Sequence, residues 1–231
     1  MKVFAIVPSA GSGRRMNSVN DDKPFLEIDG KPLFIFALLS LDNSKAIDDI
    51  TVVVKKKYAK LAEEFIEMYG IKKVGRILPG GDTRTQSVQN GLDAIKAKKD
   101  DLVVIHDGAR PFLSEEMLKS SIKAAKESGA AVVGMPLTST IKELDERQFV
   151  KGTRDRSKLF EAQTPQVFRY GVIKKAYQDV GDISITDDSA VVERAGYKVK
   201  VVQGSRRNIK VTVAEDVALA EAILESTKLK E

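Results

Sequence analysis

The chain has 231 residues, carries a net charge of +5 and is 42% hydrophobic, which fits one α/β domain with a sizeable core. No apolar run approaches the roughly 20 residues that cross a bilayer, and the apolar stretch at the N-terminus is too short for a signal peptide. Without cysteine, the chain forms neither disulfides nor thiolate sites. We therefore expect a cytoplasmic protein with a single domain over residues 1–231.

Apolar runs of strand character alternate along the chain with segments of helical periodicity. The predicted strands are Val3–Val7, Ile50–Val54, Lys73–Leu78, Leu102–His106, Ala130–Pro136 and Tyr197–Val202. The predicted helices are Leu33–Leu41, Tyr58–Met68, Arg84–Lys96, Ser114–Ser128, Gly171–Gln178, Asp187–Ala195 and Ala214–Glu225. This alternation is typical of a Rossmann-like α/β fold, with three layers and a mostly parallel sheet that helices cover on both faces.

One segment, Thr138 to Lys158, interrupts this alternation. It is polar and charged, and it alternates between apolar and polar residues only in places, such as Thr140 to Leu144. On its residues alone it fits either a surface loop or a β-hairpin arm that projects from the domain. Long loops in compact domains tend to be functional, so either structure makes this segment a candidate for function.

The loop after the first predicted strand, Pro8 to Met16, reads Pro-Ser-Ala-Gly-Ser-Gly-Arg-Arg-Met. Ligands of doubly wound sheets bind beyond the carboxyl ends of strands. Gly11 and Gly13 allow the backbone to approach a phosphate closely, and amides in such turns bind anions. Arginine matches phosphate geometry through paired N–H groups, and Arg14 and Arg15 supply it here. The loop is therefore predicted to bind the phosphates of a nucleoside triphosphate.

Two familiar phosphate motifs are excluded in this loop. A dinucleotide fingerprint needs a third glycine where Met16 stands, and a Walker A loop needs a Gly-Lys-Ser/Thr sequence that is absent. Without those motifs, a plain turn between strand and helix remains the alternative to phosphate binding. Lys23 is close enough in sequence to reach the same anion, or it is a solvated loop lysine.

Further loops follow other predicted strands. In the segment Pro79 to Arg84, Gly80 and Gly81 suit a close backbone approach, and Asp82 is either a site residue or a helix cap. Asp107 follows four apolar strand residues and has Arg110 nearby, which favours a metal or ribose site over a turn aspartate. His106 is the only histidine. We interpret it as structural, because a phosphate monoester is mostly dianionic at neutral pH and needs no general base.

Two later loops complete the set. The segment Thr186–Asp187–Asp188 stands at a predicted helix start, where capping explains the carboxylates and a functional role is the alternative. Near the C-terminus, Lys210 stands between two β-branched residues, an unusual environment for a surface lysine.

Taken together, these motifs resemble the 2-C-methyl-D-erythritol 4-phosphate cytidylyltransferase family, within the wider group of sugar-nucleotide pyrophosphorylase-like transferases. The matching pieces occur in family order and span nearly the whole chain. They are Pro8–Met16, Gly80-Gly81-Asp82 with Arg84 and Ser87, His106–Pro111, Ala162–Gln166, Thr186–Ala190 and Asn208–Thr212.

The resemblance implies transfer of CMP from CTP to methylerythritol phosphate, with release of pyrophosphate, in the non-mevalonate isoprenoid pathway. It implies Mg²⁺ as cofactor, with Asp107 as the candidate protein ligand and phosphate and water supplying most of the coordination. It also implies a homodimer, in which arms at about residues 138–158 embrace the partner and help to complete its site.

Residue roles also follow from the resemblance. Arg15 and Lys23 would stabilise charge at the α-phosphate, and Arg156 and Lys210 would position the acceptor phosphate. The triphosphate would lie on Ala10, Gly11, Gly13 and Arg14. Cytosine and ribose would be read by Gly81, Asp82, Ser87 and Gly108. The acceptor or metal side would be lined by Asp107, Arg110, Thr140, Thr186 and Asp187.

The chain departs from the family pattern at three places. Asp22-Lys23-Pro24 stands where the family usually has Pro-Lys-Gln, with an apparent extra residue before it. Arg207 replaces a frequent acid, and Gly108 replaces a common alanine, which we expect to be a minor change.

Two other functions compete with this interpretation. A ribitol-5-phosphate cytidylyltransferase shares the core motifs, but its relatives tend to have Gly-Gly-Thr-Gly in the first loop. A non-catalytic nucleotide-binding module would be expected to lose the basic residues, which are present here. We expect neither nucleic acid nor a membrane as partner, since aromatic residues are only 6% of the chain and no aromatic-interleaved basic strand occurs.

Overall fold

The computed structural model describes residues 1–11, 25–178, 185 and 187–228. Of residue 228 it describes only the backbone. The strands are β1 (Val3–Pro8), β2 (Glu27–Ile28), β3 (Lys31–Pro32), β4 (Asp49–Val54), β5 (Val74–Pro79), β6 (Leu102–Ile105), β7 (Ala130–Pro136), β8 (Ile141–Leu144), β9 (Val150–Arg154), β10 (Phe160–Arg169) and β11 (Lys200–Gln203). The helices are α1 (Leu33–Asn43), α2 (Ala59–Met68), α3 (Arg84–Ala94), α4 (Glu115–Ser128), α5 (Tyr170–Gln178), α6 (Asp188–Arg194) and α7 (Ala214–Lys228), with 3₁₀ turns at Lys56–Tyr58 and Arg156–Lys158.

A seven-stranded sheet forms the centre of the fold, in the order β11-β7-β10-β6-β1-β4-β5. All its neighbouring strands are parallel except β10, which runs antiparallel to both β6 and β7. The predicted mostly parallel α/β sheet is therefore confirmed. The predicted strands and helices all appear, although the last strand is shorter than expected and begins at Lys200.

Strand β10 is the one strand of the seven-stranded sheet that the sequence pattern did not predict. Its middle is polar and contains a proline, in the stretch Gln163-Thr164-Pro165-Gln166. Proline cannot donate to a ladder and is found at bulges or edges. The pairing with β7 shifts register between Ala162 and Gln166, so the irregular stretch is accommodated there.

Side chains of the central strands alternate between two cores, one on each face of the sheet. In β1, Val3, Ala5 and Val7 face the core shared with α1, α2 and α4, whereas Phe4 and Ile6 face the core shared with α3, α5 and α6. Helices thus cover both faces, which gives the three predicted layers. A third, smaller core joins the β2–β3 hairpin to α7.

The segment that interrupts the sequence pattern contains a β-hairpin. Strands β8 and β9 pair antiparallel with each other and form a separate two-stranded sheet. Three of its apolar side chains are exposed, with Leu144, Phe149 and Val150 at 51%, 69% and 60%. Of the two structures that the sequence allowed for this segment, a surface loop and a β-hairpin arm, the hairpin arm is therefore confirmed. Among the described helices, none is long and apolar enough to span a membrane.

Candidate active site

The loops after β1 and β5 meet at the carboxyl edge of the sheet. A Cβ atom at Gly80 would lie 2.3 Å from the Cβ of Ala10 and 3.0 Å from the Oγ of Ser87. Only glycine therefore fits at Gly80 without a shift of these neighbours. The amide of Gly81 donates to the Ser87 hydroxyl at 3.2 Å, which fixes the glycine turn against the start of α3. The sequence correctly indicated a close backbone approach at this turn.

Helix α3 begins with a complete capping box. The Thr83 side chain accepts from the amide of Gln86, and the Gln86 side chain accepts from the amide of Thr83. The Gln86 side chain also accepts from the amide of Asp82 at 2.8 Å. Thr83 is therefore the cap, and the alternative that Asp82 caps the helix is wrong. The exposed carboxylate of Asp82 is left at the edge of the predicted nucleotide loop.

Asp107 lies just beyond the end of β6, with its side chain only 8% exposed. Its Oδ1 accepts from Nε and Nη2 of Arg84 at 3.1 and 3.0 Å, and its Oδ2 accepts from Nζ of Lys210 at 2.5 Å. Burial alone would raise the pKa of this carboxyl, but the charges of Arg84 and Lys210 outweigh burial and hold the pKa well below its usual range. Asp107 is thus a firmly ionised carboxylate between two cations.

Arg84 extends this network to a second, fully buried carboxylate. Its Nη2 donates to Oδ2 of Asp188 at 2.7 Å, and the Tyr177 hydroxyl donates to Oδ1 of Asp188 at 2.5 Å. Burial and the Asp188 charge raise the pKa of Tyr177, so the phenol remains protonated as a donor. The orientation of Arg84, and through it that of Asp107, is therefore set from the interior of the protein.

His106 is fully buried, and both ring nitrogens have partners. The Thr164 hydroxyl accepts from the amide of Asp107 at 3.1 Å and lies 3.0 Å from Nδ1 of His106. Nε2 of His106 lies 3.0 Å from the carbonyl oxygen of Arg110. These contacts fit a neutral ring with its proton on Nε2. Burial lowers the pKa of His106 to about 4, which agrees with the structural role predicted for it.

The segment around Lys210 is tied to the β6 loop by hydrogen bonds. Nη1 of the buried Arg110 donates to the carbonyl of Asn208 at 2.7 Å. The Asn208 side-chain amide donates to the carbonyl of Thr164 at 2.8 Å. The amide of Val211 donates to the carbonyl of Ala109 at 2.9 Å. Lys210 is therefore held opposite Asp107 by the backbone on either side of it.

A cleft of about 540 Å³ opens beside Lys210. One side is formed by residues 135–139, at the end of β7 and the base of the arm. The other contributors are Arg110, Glu161, Gln163, Arg206, Asn208, Ile209, Lys210 and Thr212. Its three lining cations, Arg110, Arg206 and Lys210, make it the candidate binding site for an anionic substrate.

Gly108 packs directly against Ser9. A Cβ atom at Gly108 would lie 2.1 Å from the Ser9 Oγ and 3.4 Å from the Cβ of Phe34. The Ser9 hydroxyl is buried and finds no hydrogen-bond partner among the described residues. It therefore occupies the space that an alanine at Gly108 would need. An alanine at Gly108 therefore requires the Ser9 side chain to change rotamer, so the two positions are coupled.

The other predicted site residues lie in varied surroundings. Nη1 of Arg156 donates to the carbonyl of Thr138 at the base of the arm, and Arg156 itself does not line the cleft. Thr140 is exposed and follows the cleft-lining residues 138 and 139. Asp187 caps α6 by accepting from the amide of Ala190 at 3.0 Å, as the capping interpretation predicted. Gly13, Arg14, Arg15, Lys23 and Thr186 lie outside the described residues.

The predicted site residues did not include several residues that build this region. They are Thr164, Asp188 and Asn208, which fix its geometry, and Arg84, Glu161 and Arg206, which shape its charge. Arg84 was included in a matching motif, but nothing in the motif showed that it contacts Asp107.

Known proteins resemble the chain over nearly its full length. The model of the 2-C-methyl-D-erythritol 4-phosphate cytidylyltransferase family matches residues 3–226. A relative of that name from Alkaliphilus metalliredigens is 40% identical over 230 residues, which cover 98% of this chain and 95% of the relative. Another, from Syntrophus aciditrophicus, is 44% identical over 226 residues, with 96% of each chain covered. The crystal structure of 4-diphosphocytidyl-2C-methyl-D-erythritol synthase from Anaerococcus prevotii has a TM-score of 0.84 at 31% identity, covering 97% of this chain and 96% of that one.

Proposed function

The chain belongs to the 2-C-methyl-D-erythritol 4-phosphate cytidylyltransferase family, and from that premise we propose that the cleft beside Asp107 is where CMP passes from CTP to its acceptor. The reaction is the transfer of CMP from CTP to the phosphate of 2-C-methyl-D-erythritol 4-phosphate, with release of pyrophosphate, in isoprenoid precursor synthesis. The observation that carries this placement is the ionised Asp107 between Arg84 and Lys210, beside a cleft that Lys210 and Arg110 line.

The donor side of the site is the nucleotide loop. The backbone at Ala10 and Gly11 would receive the triphosphate, and the turn at Gly81 would receive the nucleoside. The Ala10 side chain packs against the turn at Gly80, which brings the two loops together. In the proposed mechanism, Arg15 and Lys23 offset the negative charge that gathers on the α-phosphorus as it becomes five-coordinate. Such reactions depend mainly on positioning and electrostatic stabilisation.

On the acceptor side, a phosphate oxygen attacks the α-phosphorus, a new P–O bond forms, and the bond to pyrophosphate breaks. The acceptor phosphate is mostly dianionic at neutral pH, so no general base is required. The neutral, fully hydrogen-bonded His106 is consistent with this, because it has no free nitrogen directed at a substrate. Lys210 would hold the acceptor phosphate, and Arg156 would approach it from the arm.

Mg²⁺ is the proposed cofactor, and Asp107 fits it. An ionised carboxylate is a hard oxygen ligand of the kind that Mg²⁺ prefers. Oδ1 of Asp107 already accepts two hydrogen bonds from Arg84, but Oδ2 has a second lone pair beyond the one that accepts from Lys210. Among the described residues, no group of three or more acidic or histidine side chains could hold a metal. Asp107 would therefore share the ion with phosphate and water oxygens, and the bound ion would neutralise phosphate charge.

The arm supports a homodimer as part of this proposal. Three exposed apolar side chains, Leu144, Phe149 and Val150, lie on or beside a two-stranded hairpin. Such a hairpin is only marginally stable by itself, so a partner that covers this apolar surface would stabilise it. Sedimentation should give twice the chain mass, and replacing residues 144–150 by a short polar turn should give the monomer. A cytoplasmic location belongs to the same proposal, because CTP is supplied there.

The test of the reaction is pyrophosphate release from CTP with a panel of acceptors. We expect release with methylerythritol phosphate and little with ribitol 5-phosphate, since the matching relatives carry the former name. The reverse preference would replace this proposal by the ribitol function. CTP binding without turnover on any acceptor would indicate a non-catalytic module instead. Arg15→Ala should lower turnover sharply, because its proposed partner is charge that develops in the transition state.

A further inference from the structure

The cleft beside Lys210 is lined by three cations and one carboxylate. The cations are Arg110, Arg206 and Lys210, and the carboxylate is Glu161. A site that must capture a phosphorylated acceptor needs positive charge that the protein has not already neutralised. The three cations differ in this respect.

Two of the three are already engaged within the protein. Nη1 of Arg110 donates to the Asn208 carbonyl at 2.7 Å, and Arg110 is buried. Nζ of Lys210 donates to the Asp107 carboxylate at 2.5 Å. Lys210 has to share or exchange its carboxylate partner before it binds a substrate phosphate fully. Arg110 keeps its charge, and its Nε has no partner among the described residues, but the side chain is buried.

Arg206 differs from both. It is exposed, it lines the cleft, and among the described residues its guanidinium has no hydrogen-bond or ion-pair partner. The turn that carries it is nonetheless well fixed. The amide of Asn208 donates to the Ser205 carbonyl at 3.1 Å, and the side-chain amide of Gln163 donates to the same carbonyl at 3.0 Å. The backbone at Arg206 is therefore fixed by hydrogen bonds, and its guanidinium, unpaired among the described residues, lines the cleft.

The next residue, Arg207, faces away from the cleft. Its Nη2 donates to the carbonyl of Ile223 at 3.0 Å and to the hydroxyl of Ser226 at 3.2 Å, both near the end of α7. A cation at a helix C-terminus is stabilised by the helix dipole and by the free carbonyls. Arg207 thus stabilises the end of α7, whereas Arg206 is available to bind a ligand.

We propose that Arg206 binds the phosphate of the acceptor and is a further substrate-binding residue of this chain. The inference rests on the proposed function for the identity of the acceptor, and on the cleft geometry for the phosphate. Arginine suits the task because its guanidinium donates two parallel N–H groups to phosphate oxygens. Arg206 would make the first contact, and Lys210 would join once it exchanges Asp107 for the substrate.

The decisive comparison is between Arg206→Ala and Arg207→Ala, which lower the net charge equally. We expect Arg206→Ala to raise the KM for methylerythritol phosphate about tenfold, the effect of losing one charge-assisted contact, with kcat and the KM for CTP nearly unchanged. Arg206→Lys should recover part of the loss. Arg207→Ala should leave the KM for the acceptor unchanged and lower the melting temperature instead.

A second readout separates this inference from the proposed function. Calorimetric binding of inorganic phosphate to the full chain, without CTP, should weaken about tenfold in Arg206→Ala and remain unchanged in Arg207→Ala. If the wild-type chain had no transferase activity, the proposed function would fail while phosphate binding still tested Arg206. Equal phosphate binding by Arg206→Ala and wild type, or an equal loss in both variants, would overturn the role of Arg206.

Discussion

The single histidine makes the pH dependence of folding stability interpretable. Burial lowers the pKa of His106 to about 4, from an ordinary value of 6.5. Between these values the unfolded chain binds a proton that the folded chain rejects, so stability rises with pH across this window. The contribution is fully present above pH 6.5 and is lost as the pH falls towards 4. From pH 8 to pH 5 the loss is about 2 kcal/mol, which lowers the melting temperature by roughly 4–8 °C for a chain of this length.

The charged groups that face His106 are Asp107, Arg110 and Lys210. The cations hold the pKa of Asp107 far below its usual range, so this carboxylate stays ionised across the window. Most other carboxylates titrate below about pH 5. Thermal unfolding followed by circular dichroism, at half-unit steps from pH 8 to pH 5 and without nucleotide or divalent ions, therefore isolates the histidine.

The matched variant is His106→Gln, whose amide nitrogen replaces Nε2 as a donor to the Arg110 carbonyl. We expect it to be less stable than wild type at pH 8, but its melting temperature should change by less than about 2 °C down to pH 5. If the variant does not fold, NMR of the histidine ring protons in the wild type gives the same test, since they should not titrate above pH 5. A wild-type melting curve that is flat with pH, or a variant as pH-sensitive as wild type, would refute the buried neutral histidine.

Three further predictions concern the site and its support. Asp188→Ala should destabilise the fold by about 3 kcal/mol and lower the melting temperature by roughly 6–12 °C, because it leaves Tyr177 and Arg84 without a carboxylate partner. The control is Asp93, an exposed carboxylate that pairs with Lys174, and Asp93→Ala should cost less than about 1 kcal/mol. Gly108→Ala should cost about 1–3 kcal/mol through overpacking against Ser9, and Ser9→Ala in the same chain should recover most of it. Lys210→Ala should raise the KM for the acceptor phosphate at least about tenfold and the KM for CTP much less.

Each of these predictions has a result that contradicts it. Equal stability of the Asp188 and Asp93 variants in urea titrations would show that the inner carboxylate does not support the site. Additive effects of the Ser9 and Gly108 changes would show that the two residues are not coupled. A larger effect of Lys210→Ala on CTP than on the acceptor, in steady-state kinetics, would place Lys210 on the donor side.

Much of the fold follows from the sequence because the central strands are continuous and apolar, and because they alternate with amphipathic helices. The position of the site follows from a further rule, that the carboxyl ends of parallel strands share one edge. The turn at Gly80 and the loop at Ala10 come from different strands, yet a Cβ atom at Gly80 would lie only 2.3 Å from the Cβ of Ala10. Lys210, flanked by β-branched residues, was a visible anomaly, and its pairing with Asp107 explains it.

Strand β10 could not be predicted from local pattern, because Pro165 and its polar neighbours conceal the strand. These polar residues are nonetheless buried, and several make the hydrogen bonds that hold the site: Thr164 contacts His106 and Asp107, and Gln163 contacts Asn208. The polar residues that interrupt the apolar pattern of β10 thus support the loop after the neighbouring strand. Hydrophobic periodicity detects only the burial of apolar side chains, so it misses a strand of this kind.

The position of Arg84 in the sequence indicates that it has negatively charged partners, but it does not identify them. It is the first residue of α3, where a positive charge opposes the helix macrodipole and normally costs stability. Such a residue is retained where nearby carboxylates compensate for it. Here they are Asp107 and Asp188, which lie 23 and 104 positions further along the chain. The unfavourable position of Arg84 predicts that negative partners exist, but only the strand order and the packing of α6 identify them. Exchange of Arg84 for lysine should therefore weaken catalysis more than a surface exchange would, because lysine cannot donate to both carboxylates with the fixed geometry of a guanidinium.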